Sequence, residues 1–251
     1  MISLAAVFLL VAMLYASVGF GGGSTYTAIL IESGLAPELV PPLALLCNVV
    51  VVSGGVWHFA RAGHLDLKFA TPLIAASVPA AFIGGYMRLS ENTFLLILGL
   101  ALLVAGSLLA LDRSSGSNGG EPSRRKSMAA PLTWTLGAVL GGLAGVTGIG
   151  GGIYLAPVLH LFRLASAKTV AATCSLFILV NSLSGLAGQL SKLGPATALL
   201  IEDRYLFLPL AVLVGGQLGS RIAARRLPAA PIRRITGLLI VLVALRILWR
   251  A

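Results

Sequence analysis

The chain has 251 residues, 57% of them hydrophobic and 10% charged, with a mean hydropathy of +0.97 and a formal net charge of +10. Soluble domains carry roughly 25% charged residues, so a soluble enzyme or binding domain is excluded. The Lys and Arg residues lie between apolar runs, where membrane proteins keep cytoplasmic basic residues, which excludes nucleic acid as the partner.

The first apolar run begins at Ile2 without a basic leader and continues into SVGFGGGSTYT, residues 17–27. It reads as a membrane segment over 2–33, not as a cleaved signal peptide. Glycine inside a helix costs about 1 kcal/mol against alanine, so Gly19, Gly21, Gly22 and Gly23 break this segment in its middle. Apolar spans follow at 41–60, 69–87 and 92–111. Residues 112–127, DRSSGSNGGEPSRRKS, are rich in Ser, Gly and charge and read as a flexible linker. A second long segment, 131–162, is broken by GVTGIGGGIYL at 145–155, and spans at 169–190, 205–222 and 232–249 complete the chain. A membrane-crossing helix needs roughly 20 apolar residues. A β-barrel would instead show short alternating segments.

The two glycine breaks are one feature used twice. Gly19 aligns with Gly148, and Gly21–Gly23 align with Gly150–Gly152, at an offset of 129. Val40 and Gly55 then align with Val170 and Gly185, and Pro72 with Pro209. The expected organisation is a first membrane repeat over 1–111, a cytoplasmic linker over 112–130 and a second repeat over 131–251. If each broken segment crossed the membrane once, Lys and Arg would divide 10 to 8 between the two sides. If each turns back on the side it entered, the division becomes 13 cytoplasmic to 5 outside. The second arrangement obeys the positive-inside rule. The predicted fold is therefore an all-α polytopic membrane protein built from two inverted repeats, each a glycine-broken re-entrant hairpin plus three transmembrane helices.

Irregular backbone is tolerated at membrane depth only where protein buries it or it lines a cavity. A half-helix starting near Ser24 and another near Ile153 would aim their N-termini at the midplane from opposite sides. Unpaired N–H donors and about half a positive charge at each N-terminus make such a point an anion site. Broken helices meeting between inverted repeats are a recurring transporter plan. All eight acidic residues fall in loops or the linker, which speaks against a cation site, a metal site or a carboxylate proton relay. The candidate substrate ligands are Gly21, Gly22, Gly23, Ser24, Thr25, Asn48, Thr147, Gly150, Gly151, Gly152, Thr173 and Asn181. Ser17, Thr27, Ser53, Ser175, Ser182 and Ser184 are further polar groups inside the spans. No cofactor is expected, and the partners are a small anion and the lipid bilayer, with a homodimer left open. Gly84, Gly85, Gly215, Gly216 and Gly219 read as helix-packing glycines. His58 and His160 end apolar runs and are the candidates if protons are coupled to transport.

Two other classes fit less well. An anion channel would use the same site. A membrane thiol-relay or assembly protein would use Cys47 and Cys174, but both lie inside apolar runs, as small buried hydrophobes do.

The stretches GFGGGSTYTAILI and GLAGVTGIGGGIYLAPVL, in two related halves, resemble the TauE/SafE family, named for sulfite exporters. KTVAATCSLFILVNSLSG resembles the family's Ala-x-x-Thr segment, and LGSRIAARRLPAAPIRRITGLLIVLVALRIL its C-terminal stretch. Pro41, Pro42 and Leu43 stand where the second half has Ala171, Ala172 and Thr173. The resemblance covers nearly the whole chain outside the linker. It implies a bacterial inner-membrane permease for small sulfur-containing or organic anions.

Overall fold

The computed structural model describes residues 2–17, 19–111, 128–162, 164–195, 203–223 and 229–249. The 112–127 linker, Arg163, Glu202, Arg225, Arg226 and Arg250 lie outside the described residues. The described elements are α1 (Ile2–Ala16), α2 (Gly23–Glu32), α3 (Val40–Arg61), α4 (Leu67–Tyr86), α5 (Glu91–Leu111), α6 (Ala130–Thr147), α7 (Gly152–Leu161), α8 (Ala167–Leu193), α9 (Asp203–Ala223) and α10 (Ala229–Leu248). Each expected span is one helix, and each broken segment is two. Among the described residues five helices, α3, α4, α5, α6 and α8, are long and apolar enough by themselves to cross a bilayer.

Local signals set the boundaries. Pro41 and Pro42 open α3, where the missing N–H groups would have no helical partner. The Asp66 side chain caps α4 by accepting from the Phe69 amide, and Ser166 caps α8 by accepting from Thr169. The outward surface is apolar: Leu100 and Val104 of α5 and Leu238, Leu242 and Leu245 of α10 are exposed, as lipid-facing side chains are.

The halves interlock. α6 lies on α4, and α1 lies on α9. A Cβ on Gly137, Gly141 or Gly145 of α6 would strike the backbone of Leu73, Ser77 or Ala81, so α4 and α6 run parallel in steps of four residues. Likewise Gly215 and Gly219 of α9 press on the carbonyls of Leu9 and Met13 in α1. Lipid tails are as apolar as leucine, so close backbone contact and dispersion hold membrane helices together. Gly84, Gly85, Gly215, Gly216 and Gly219 all sit in such crossings, as expected.

Two helix pairs, α3 with α8 and α5 with α10, run antiparallel. Gly55 of α3 faces Ser175 of α8 while Gly185 of α8 faces Leu45 of α3. Gly99 of α5 meets Leu248 of α10, and Gly237 meets Ala110. The end of α5 therefore lies beside the first half of α10.

The crossings predict the response to a single methyl group. Gly145→Ala and Gly219→Ala would push backbone against backbone and should each cost about 1–3 kcal/mol. Thermal unfolding in detergent should show a lowered midpoint for both, while Gly34→Ala, where a Cβ meets nothing, should lose only what its left-handed backbone demands.

Candidate functional site

The first broken segment folds back on itself. In one straight helix Phe8 and Tyr26 would stand about 27 Å apart. Their rings instead stack with centroids 4.6 Å apart and planes at 16°. The Tyr15 hydroxyl lies 2.8 Å from Thr25 Oγ1 and 3.2 Å from Ser24 Oγ, tying α1 to the start of α2. In the second half, a Cβ on Gly151 would come within 3.2 Å of both Ala144 Cβ and Leu140 O, so this loop returns down the face of α6. The residues that cap α2 and α7, Gly22 and Gly151, are left-handed, at φ 88° and 82°. Neither provides a side-chain cap to the helix it opens.

The loops are held by side chains from the opposite half. Ser175 of α8 donates from Oγ to Gly19 O at 2.8 Å. Asn48 of α3 donates from Nδ2 to Ile149 O at 3.0 Å and toward Gly148 O at 3.4 Å. The packing is reciprocal too. Gly19 abuts Ala171 of α8, and its repeat partner Gly148 abuts Pro41 of α3, the residue aligned with Ala171.

Asn48 is the point where the two breaks meet. It is fully buried. The missing side chains of Gly21 and Gly23 leave room for its Oδ1 and Nδ2, respectively. A Cβ on Gly23 would also stand 3.0 Å from Ile149 O, and one on Gly150 would stand 3.1 Å from Asn48 Nδ2 and 2.8 Å from Ser182 Oγ. One asparagine is thus in reach of the first turn of α2 and of the loop leading into α7.

Of the candidate ligands, the structure gathers Gly21, Gly23, Asn48 and Gly150 into this cluster. Gly22 and Gly151 flank it, where a Cβ would come within 2.8 Å of the Tyr26 and Phe177 rings, and a Cβ on Gly152 would strike Ile178. Ser24 and Thr25 are occupied by Tyr15. Thr147 donates to Leu143 O of its own helix, and Asn181 Nδ2 to Phe177 O. Thr173 is buried, and its Oγ1 has no partner. Ser175, Ser182 and Tyr15 are further side chains at the breaks that are not among the ligands expected from the sequence. The first two are polar residues of the spans; Ser175 is singled out only by its bond across to Gly19, and Ser182 only by its place against Gly150.

The buried polar side chains are neutral among the described residues: serines, threonines, asparagines and one glutamine. His, Cys, Asp and Glu form no metal-binding cluster among the described residues. Cys47 and Cys174 are both fully buried and belong to separate apolar clusters. A cavity of about 120 Å³ lies elsewhere, where α4 and α8 end, lined by Glu38, Glu91, Lys192, Pro41 and Val146 among others. At its rim Arg88 Nη2 donates to Lys192 O at 3.3 Å.

Comparison with known proteins agrees with this architecture. The sequence model of the family described as "Sulfite exporter TauE/SafE" matches residues 4–247. A "Probable membrane transporter protein y4hK" of Sinorhizobium fredii is 33% identical, over 99% of this chain and 98% of its own length. "Probable membrane transporter protein YjnA" of Bacillus subtilis is 26% identical, over 87% of this chain and 90% of its own. "Probable membrane transporter protein MamO" of Magnetospirillum gryphiswaldense is 25% identical over 87% of this chain, a match covering 39% of that longer protein. No solved structure matches the chain.

The loop anchors yield a stability prediction. Gly22→Ala and Gly151→Ala combine a left-handed backbone with a collision against an aromatic ring, and should each cost at least about 1–3 kcal/mol. Ser175→Ala removes one buried hydrogen bond and leaves Gly19 O without that donor, a loss of about 1–3 kcal/mol. Thermal unfolding of the three variants in detergent should place all of them below the parent protein. An unchanged midpoint for Ser175→Ala would remove it as an anchor.

Proposed function

The chain belongs to the Sulfite exporter TauE/SafE family and is a multi-pass membrane transporter, and from that premise we propose that it moves a small anion of the sulfite or organosulfonate kind. The observation that carries this reading is the meeting of the two breaks at Asn48. Two uncapped helix N-termini supply N–H donors and partial positive charge, and the buried polar side chains described around them bring no carboxylate to repel an anion. The family's description supplies the sulfur chemistry.

The transport cycle in this reading rests on inverted repeats with re-entrant hairpins. The antiparallel course of α3 against α8 and of α5 against α10 supports it, as does the 13-to-5 division of basic residues. Asn48 and Ser175 each fasten one half's helix to the other half's loop. Rocking of one half against the other would release one anchor while keeping its counterpart, and would expose the anion to each side in turn. The basic side is the cytoplasm, and the membrane is the bacterial inner membrane.

Two measurements test this. The purified protein should be stabilised by sulfite or by a sulfonate such as sulfoacetate, in a concentration-dependent way as binding linkage requires, and not by choline, a cation. A panel of sulfite, sulfate, thiosulfate, sulfoacetate, taurine and simple carboxylates in which no anion raises the unfolding temperature would defeat the anion reading. Single cysteines placed in the 112–127 linker and between Ala223 and Ala229, in a Cys-free background, should be labelled from the same side. Labelling from opposite sides would defeat the inverted arrangement.

A further inference from the structure

We propose that the site selects anions that carry a hydrogen-bond donor of their own, an O–H or N–H beside the negatively charged group. The inference rests on the anion reading above and narrows it. It starts from the orientation of the Asn48 amide. Nδ2 faces two carbonyl oxygens, Ile149 O at 3.0 Å and Gly148 O at 3.4 Å. Turning the amide over would set oxygen against oxygen, so the chemistry fixes Oδ1 on the other side, toward Gly21. There Oδ1 is buried and has no hydrogen-bond partner.

Asn48 Oδ1 has company. Ser182 Oγ, which borders the same Gly150, is also buried and unpartnered. Buried polar groups in folded proteins are nearly always paired, and each exception calls for a cause. At the cluster the unpaired Asn48 Oδ1 is a carbonyl-type oxygen, which can only accept.

An anion able only to accept would meet the N–H groups at the starts of α2 and α7 well and the Asn48 oxygen badly, lone pairs facing lone pairs. An anion with its own donor satisfies both at once. Its charged oxygens take the helix N–H groups, and its O–H or N–H donates to Asn48 Oδ1, with Ser182 free to donate or accept beside it. Sites built to pair with a ligand O–H discriminate strongly against the analogue that lacks it, because a buried protein group is then left unpaired. The class includes protonated oxyanions such as hydrogen sulfite, hydroxysulfonates, aminosulfonates and hydroxycarboxylates.

Matched pairs test the idea on the full-length protein in detergent: isethionate (hydroxyethanesulfonate) against ethanesulfonate, and glycolate against acetate, with affinity read by calorimetry. The donor-bearing member of each pair should bind at least about tenfold more tightly. Asn48→Leu should collapse that ratio, and Ser182→Ala should reduce it. Should Asn48→Leu fail to fold, the parent's ratio and Ser182→Ala decide. Equal binding within both pairs overturns the donor requirement and leaves the anion reading standing. Absence of binding by all four anions overturns the donor requirement, and absence of sulfite binding as well overturns the anion reading. A preserved tenfold ratio in every folded variant overturns the assignment to Asn48 and Ser182.

Discussion

A helix cannot be broken inside a bilayer unless something other than water takes up the exposed backbone. The fold turns on this constraint. The chain breaks α1 from α2 and α6 from α7, and each break leaves carbonyls that need donors. Ser175 takes Gly19 O, and Asn48 takes Ile149 O. Each donor stands on the core helix of the other half, so the irregular backbone of either half is completed only when the halves are assembled. The two halves of the chain are thereby fastened to each other at the very places where their own helices break.

Close approach of the helices makes this fastening possible. Glycines face backbone carbonyls too closely to admit a Cβ along α4–α6 and α1–α9, with Gly141 against Ser77 and Gly215 against Leu9. Cα–H···O contacts at such crossings add about 0.5–1 kcal/mol each. The same closeness lets Gly55 and Gly185 bring α3 and α8 together antiparallel, carrying Asn48 and Ser175 to the opposite loops. The glycines therefore serve two needs. Gly22 and Gly151 permit a left-handed turn into a half-helix, whereas Gly145 and Gly219 remove side chains from a crossing.

Much of this was legible in the sequence because membrane burial leaves blunt signals. Hydropathy located the spans to within a few residues, and the glycine clusters marked both breaks: α2 begins at Gly23 and α7 at Gly152. Asn48 could be flagged because an amide deep in an apolar run needs a partner. What could not be read was which partner. Ser175 and Ser182 look like any serine on a membrane helix, where a hydroxyl commonly bonds its own backbone, as Thr147 does to Leu143 O. Their neighbours Gly19 and Gly150 come from a different face of the assembly, and no periodicity along α8 encodes that. Tyr15 was passed over for a similar reason: its role depends on the chain folding back to Ser24 and Thr25. The cavity beside Lys192 was also invisible, since it is made where the ends of α4 and α8 meet.

The central claim is that an anion sits where the two breaks converge. The most direct measurement is a crystal of the full-length protein soaked in selenite, with an anomalous difference map recorded at the selenium edge. The account predicts a peak bounded by Gly21–Gly23, Asn48 and Gly150–Gly152. A peak confined to the cavity of Lys192, Glu38 and Glu91, with nothing near Asn48, would contradict it.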